Sequence, residues 1–153
     1  MNRAALIAVI PDGPAERQAP ALDTLGVANL YAVHSPHLAI SGYAGNSTLQ
    51  LRRSTDDADL DFVPNNKGWL LSSSVAAWVG GGTAFVQKVY DQTGNSRSLD
   101  QTTDANQPTL DLTAKYARIR FTAASSQYLT GSNLGAFSQN AAAASLLAVR
   151  RQA

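Results

Sequence analysis

The run "ARIRF" at residues 117–121 sets Ala117, Ile119 and Phe121 against Arg118 and Arg120, a strict period of two. Successive side chains of a β-strand point to opposite faces, so this alternation predicts a strand with one buried and one solvated face. Three further runs carry the same kind of signal. In "STLQLRRS" Leu49 and Leu51 alternate with Gln50 and Arg52, and in "DADLDF" Leu60 and Phe62 alternate with Asp59 and Asp61. "TAFVQKVY" has apolar groups on both faces, Phe85 with Val89 and Val86 with Tyr90, as expected of a central strand. "SLLAVRR" near the end predicts another strand. Short strands separated by turn-rich stretches predict a mainly β chain, a β-sandwich.

One helix is expected among them. "SSSVAAWVGGG" offers a serine N-cap at 72–74, a short run through Trp78 and Val79, and glycines at 80–82 as the stop. Residues 11–26, "PDGPAERQAPALDTLG", hold three of the six prolines and read as an extended arm. The division expected is therefore an N-terminal arm over 1–26 and a sandwich over 27–153. The apolar run before Pro11 reads as a short β segment or docking arm rather than a secretion signal. The alanine run at 141–144 is a helical turn or a loop.

Only 15% of residues are charged and the net charge is +1. Basic residues are paired at Arg52-Arg53 and Arg150-Arg151 and nowhere run longer, so no nucleic-acid partner is expected. No apolar run approaches the ~20 residues of a membrane span, so no membrane insertion is expected. With no cysteine there are no disulfides and no thiolate metal ligands.

The polar groups divide into candidates and bland alternatives. His34 and His37 form an H-x-x-H pair, but Pro36 between them argues against a shared helix face, so a polar loop pair is expected and no metal. Asp56, Asp57, Asp59 and Asp61 lack the glycine and terminal glutamate of a calcium loop; charges on a strand edge that discourage edge pairing are the expected role. Asp91, Asp100 and Asp104 are carboxyl candidates, yet the only glutamate is Glu16 in the arm. No Ser sits in a nucleophile elbow, and the glycines at 80–82 have no phosphate-loop spacing. No catalytic residue, no cofactor and no enzyme are the expectation. The stretch "VYDQTGNSRSLDQTTDANQP" at 89–108 is the most polar of the chain, with Asp91, Gln92, Gly94 and Asn95 expected to form a tight structural turn.

Residues 43 to 129 also show a longer pattern. Arg52, Arg53, Ser54 and Asp56 precede a helix that ends in Gly80 to Gly82. Tyr90, Asp91, Gln92, Gly94 and Asn95 follow, and then Asn106, Gln107 and Pro108. This pattern resembles a module of phage and prophage structural proteins that is shared with the N-terminal part of the arabinofuranosidase B catalytic domain. The resemblance implies a concanavalin A-like jelly-roll sandwich. It carries no catalytic residue, because that family's catalytic carboxylates lie beyond the matched region. The acidic turn that normally precedes Tyr-Leu reads Phe-Thr-Ala-Ala-Ser-Ser-Gln here.

A complete sandwich of this kind uses more chain. A larger parent chain, completion by neighbouring subunits and a shrunken sandwich are the three explanations. The function expected is a structural component of a phage-like virion: a tail, fibre or head-decoration protein assembled in the bacterial host cytoplasm. Its partners would be further copies of itself, other virion proteins and a cell-surface glycan. The alternative is a carbohydrate-binding module using Trp69, Tyr43 or Tyr128 as sugar-stacking platforms, with Trp78 assigned to the core. An arabinofuranosidase-type hydrolase comes last.

Overall fold

The computed structural model describes residues 30–131, together with residues 22 and 23 and the backbone of residues 4–7 and 146–148. The larger sheet is antiparallel. Its centre is β3 (Leu49–Arg53), flanked by β4 (Asp59–Phe62) and β5 (Ala84–Val89). Beyond β5 the sheet forks. One branch is β6 (Leu99–Asp100) with β9 (Thr130–Gly131); the other is β7 (Thr109–Asp111) with β8 (Arg118–Arg120).

Alternation sets what each strand buries. Leu49 and Leu51 are fully buried, as their period predicts, and Phe62 opposite Leu49 is buried as well. Strand β5 departs from its expected pattern. The register slips between Gln50 and Leu51, so Leu49 pairs with Val89 while Leu51 pairs with Val86. One extra residue on β5 puts Ala84, Val86 and Val89 all on the core face, and Phe85 on the opposite one with Arg52. The expected pairing of Phe85 with Val89 is thereby corrected: a bulge adds one to the count, and period-2 reading cannot see it. In the "ARIRF" run Ala117 is buried and Ile119 half-buried, while Phe121 lies past the strand end and is 53% exposed.

The helix α1 (Ser72–Val79) covers the core face of the sheet with Val75 and Val79, both buried beside Leu70. Each such side chain contributes about 1.5–3 kcal/mol through the area it removes from water. Its stop is as expected: Gly80 adopts φ 63°, ψ 33°, and its N–H reaches the carbonyl of Ala76. Its start is not. The N-cap is Leu71, no side chain caps the first turn, and Ser72 is buried with its hydroxyl unpartnered. The first turn is held instead by main chain, Ser72 N–H to the Lys115 carbonyl, beside the Leu71–Tyr116 bridge. Gly80→Ala is expected to cost about 1 kcal/mol, because a Cβ disfavours the left-handed conformation. Nothing lies within 4 Å of where that Cβ would be, so thermal denaturation would report the conformational cost without a clash.

The smaller sheet is parallel. β1 (Ala4–Ile7) lies between β2 (Leu30–Val33) and β10 (Leu146–Ala148). "SLLAVRR" is thus a strand, but its partner is the first strand of the chain. A second core cluster gathers Leu22, Leu30, Val33, Ala39 and Ile40, with Tyr43 packed against it. The architecture is mainly β with one short helix, consistent with a jelly-roll-like β-sandwich. Among the described residues no helix is long and apolar enough to cross a membrane. The alanine run at 141–144 lies outside the described residues.

Candidate functional site

The most polar loop of the chain is anchored at its start: Asp91 and Gln92 are buried, while Gly94 to Ser96 are exposed. Asp91 follows β5, is 5% exposed, and forms an isolated bridge with His34. Its Oδ1 accepts the N–H groups of Val33 (3.0 Å) and Thr93 (3.0 Å), while Oδ2 accepts the N–H of Arg97 (3.2 Å). The Thr93 hydroxyl reaches both oxygens, at 2.8 and 2.9 Å. A buried carboxylate is tolerated only with this density of donors around it.

Gln92 acts in the same way. Its Oε1 accepts the Ala39 N–H at 2.8 Å, and its Nε2 donates to the carbonyls of His37 (2.7 Å) and Ser35 (3.2 Å). Asn95 Nδ2 donates to the carbonyls of Leu30 and Tyr31. The Arg97 guanidinium lies 4.0 Å from the centroid of the Tyr31 ring and donates to the Tyr31 carbonyl. Gly94, at φ 80°, allows the chain to reverse between these anchors. The turn expected from the sequence is present, but most of its partners are 53 to 65 residues away, on β2 and the segment after it. It ties the two sheets together.

Both histidines belong to this junction, which corrects the expectation of a polar loop pair. His34 and His37 are 6% and 5% exposed. His34 Nε2 lies 2.7 Å from the Arg97 carbonyl, which makes this nitrogen the protonated one. His37 Nδ1 accepts the N–H of Leu70 at 3.1 Å, and its ring packs edge-on against Trp69 and Tyr116. Burial pushes the His34 pKa down, against smaller upward contributions from the Arg97 carbonyl and Asp91. A histidine kept neutral by folding stabilises the protein above its unfolded value of about 6.5, and that stability is lost as pH falls below it. Melting curves between about pH 8 and pH 5 should therefore show a falling Tm in the acid limb. His34→Gln should flatten that limb relative to the parent. No group of three His, Cys, Asp or Glu side chains could hold a metal ion among the described residues.

A second buried network lies on the other face of the larger sheet. Arg52, only 8% exposed, stacks 4.7 Å from the Phe85 centroid, and its Nε donates to Gln107 Oε1 at 2.9 Å. Asp57 takes a close ion pair from the same guanidinium, and Asp104 lies 3.4 Å from Nε. Gln107, fully buried, passes the network on to the Gln101 carbonyl. Arg52 was expected to point to solvent with Gln50. It is covered because Phe85, turned outward by the bulge, gives it a ring to lie on.

The candidate carboxyl groups are not brought together around a common space. Asp91 is enclosed at the junction, Asp104 sits beside Arg52, and Asp100 is on β6 opposite Lys88. Of the acidic residues 56–61, Asp59 and Asp61 lie on β4, whereas Asp56 and Asp57 lie in the connection between β3 and β4. Asp56 pairs with Arg53, and Asp61 accepts the Tyr90 hydroxyl at 2.9 Å. Burial and the Asp61 hydrogen bond push the Tyr90 phenol up to about 12.

The sugar-stacking candidates separate as well. Trp69 is half-buried rather than a surface platform: one face stacks on Tyr116 at 4.5 Å, because residues 65–69 fold back onto the Leu71–Tyr116 bridge. Tyr43 is half-buried on the second core cluster, with its hydroxyl donating to the Ser47 carbonyl. Tyr128 is 47% exposed. Trp78 packs edge-on against Phe62, at the margin of the core as expected. An open cleft of about 600 Å³ runs between Asp23, Ile40, Tyr43 and Gln92–Gly94. Three polar side chains on its wall are engaged internally: Asp23 accepts the Ser41 N–H, and Gln92 and Thr93 serve the junction.

No family model matches this chain, and no curated protein matches it significantly. Among solved structures it is similar to an arabinofuranosidase complexed with arabinofuranosyl-α-1,2-xylobiose, at 24% identity and a TM-score of 0.48, over 61% of this chain and 22% of that one. It is also similar to a GH54 α-L-arabinofuranosidase soaked with a cyclic sulfate inhibitor, at 24% identity and a TM-score of 0.48, over 67% of this chain and 21% of that one. The chain thus spans about a fifth of the length of these proteins. These neighbours correct the expectation that the chain is not an enzyme.

Proposed function

We propose that the chain is a structural unit of a larger assembly, a component of a phage-like virion such as a tail, fibre or head-decoration protein. The observation that carries this reading is how the polar loop is used. Asp91 and Gln92 direct their side chains to the chain's own N–H and carbonyl groups, so the most polar stretch of the sequence serves cohesion. A rigid junction between two sheets suits a unit that must hold its shape while neighbours bind its surface. The low charge, with solvation left to uncharged polar side chains, agrees with extensive packing against other proteins.

Size-exclusion chromatography with light scattering tests the reading. A multimer of defined mass, or a stable complex with other virion proteins, is the expected result. A monomer that binds glycans through Tyr43 or Tyr128 would replace this reading with that of a carbohydrate-binding module. A monomer that cleaves an aryl arabinofuranoside would replace it with a hydrolase.

A further inference from the structure

Among the described residues, β4, β8 and β9 end the branches of the larger sheet, and β4 and β8 lie at opposite ends of one path, across β3, β5 and β7. Their sequences are complementary. β4 reads Asp-Leu-Asp-Phe and β8 reads Arg-Ile-Arg. Register shows that the charges share a face: Asp59 is opposite Arg52, Arg52 opposite Phe85, Phe85 opposite Thr109, and Thr109 opposite Arg120. Asp61 and Arg118, each two residues along, lie on that face too. Leu60 and Ile119 lie on the other.

Exposed apolar groups mark the same two edges. Among the described residues four large hydrophobic side chains are exposed, and three belong to these strands or follow them by one residue: Leu60 (42%), Val63 (46%) and Phe121 (53%). A strand edge with unpaired main-chain groups is a template for another strand, and apolar side chains beside it add to the gain from pairing.

We propose that β4 of one copy pairs with β8 of the next, extending the larger sheet from molecule to molecule. The inference rests on the reading of the chain as an assembly unit and names its partner as a second copy of itself. Four antiparallel steps separate β4 from β8, so the two run in the same direction and the new pair is parallel. Asp59 and Asp61 then lie beside Arg118 and Arg120 of the neighbour, and Leu60 lies beside its Ile119. Arg118 reaches Asp111 within its own chain, so the neighbour's carboxylates extend an ion-pair row already begun.

The same charges choose the geometry. Two β4 edges meeting would oppose aspartates, and two β8 edges would oppose arginines, so both two-fold dimers are disfavoured. Between these two edges the contact left is heterologous and builds a ring or an open filament. The acidic edge thus discourages pairing with itself while favouring the basic edge.

Sedimentation of the full chain with swapped edge charges tests this. Asp59→Lys with Asp61→Lys, and separately Arg118→Glu with Arg120→Glu, should each weaken self-association by more than ~100-fold, since like charges then meet. An equimolar mixture of the two variants should reassemble, because each reversed edge then finds an opposite one. That restoration also shows that both variants are folded. If a reversal unfolds the chain, Asp59→Asn with Asp61→Asn should still give a partial loss, and added salt should weaken the parent assembly. A parent multimer unchanged by both reversals would overturn the edge pairing and leave the assembly reading standing. A parent that stays monomeric at every concentration would overturn the edge pairing, and the assembly reading falls with it if the chain also forms no complex with other virion proteins.

Discussion

Replacing Asp91 with alanine is expected to destabilise the chain by about 3–5 kcal/mol, the largest effect of any single polar substitution in the described residues. The Asp91 side chain accepts from Val33, Thr93 and Arg97, and alanine removes every one of those acceptors. The N–H of Val33, in a residue with no exposed surface, would lose its partner in an apolar setting. A hydrogen bond to a charged acceptor contributes roughly 1.5–3 kcal/mol, and an orphaned buried donor adds its desolvation cost. Tm should fall by roughly 10–20 °C. Asp91→Asn should do less harm, because one oxygen remains for Val33, while the new amide group faces the donating N–H of Arg97. A protein that kept its Tm after Asp91→Ala and lost only a ligand would contradict this role.

Arg52→Ala should cost about 2–4 kcal/mol, for a different reason. The guanidinium fills space over Phe85 and is the partner of the fully buried Gln107. Its removal opens a cavity above the ring and leaves Gln107 Oε1 without that donor. Arg52→Met should recover part of the loss, because methionine restores the packing over Phe85 without the hydrogen bond. Urea denaturation of the two variants separates the contributions. Equal losses from both would assign the effect to the hydrogen bond and charge, and full recovery by methionine would assign it to packing.

What the sequence disclosed, and what it withheld, follows from the range of each interaction. β3, β4 and β8 were legible because Leu49, Leu51, Phe62 and Ala117 alternate with polar neighbours, a purely local signal. The stop of α1 at Gly80 was equally local. Its start was not, because Leu71 is fixed by a bridge to Tyr116, 45 residues on. The bulge in β5 was hidden, since no glycine or proline marks Gln87. The burial of Arg52 depended on that bulge. The parallel sheet of β1, β2 and β10 joins segments from the two ends of the chain, and alternation within a segment says nothing of its partner.

The polar loop shows the same division. Asp91, Gln92, Gly94 and Asn95 announced a turn through residue type alone. That the turn grips Val33, Ala39, Leu30 and Tyr31 could not be read, because nothing in Leu30–Val33 distinguishes an N–H destined for Asp91 from one destined for a strand. The histidines follow the same division: Pro36 excludes a helix, but it does not exclude two buried rings serving Arg97 and Leu70.

The central claim is that Asp91 and Gln92 clamp the two sheets together through the main chain. Amide hydrogen exchange at Val33 and Ala39 tests it most directly, since these N–H groups end on the Asp91 and Gln92 side chains. Both amides should exchange as slowly as that of Leu51 in the centre of the larger sheet, opening only when the whole structure unfolds. Exchange at these two amides as fast as at exposed loop residues such as Asn66 would contradict the clamp.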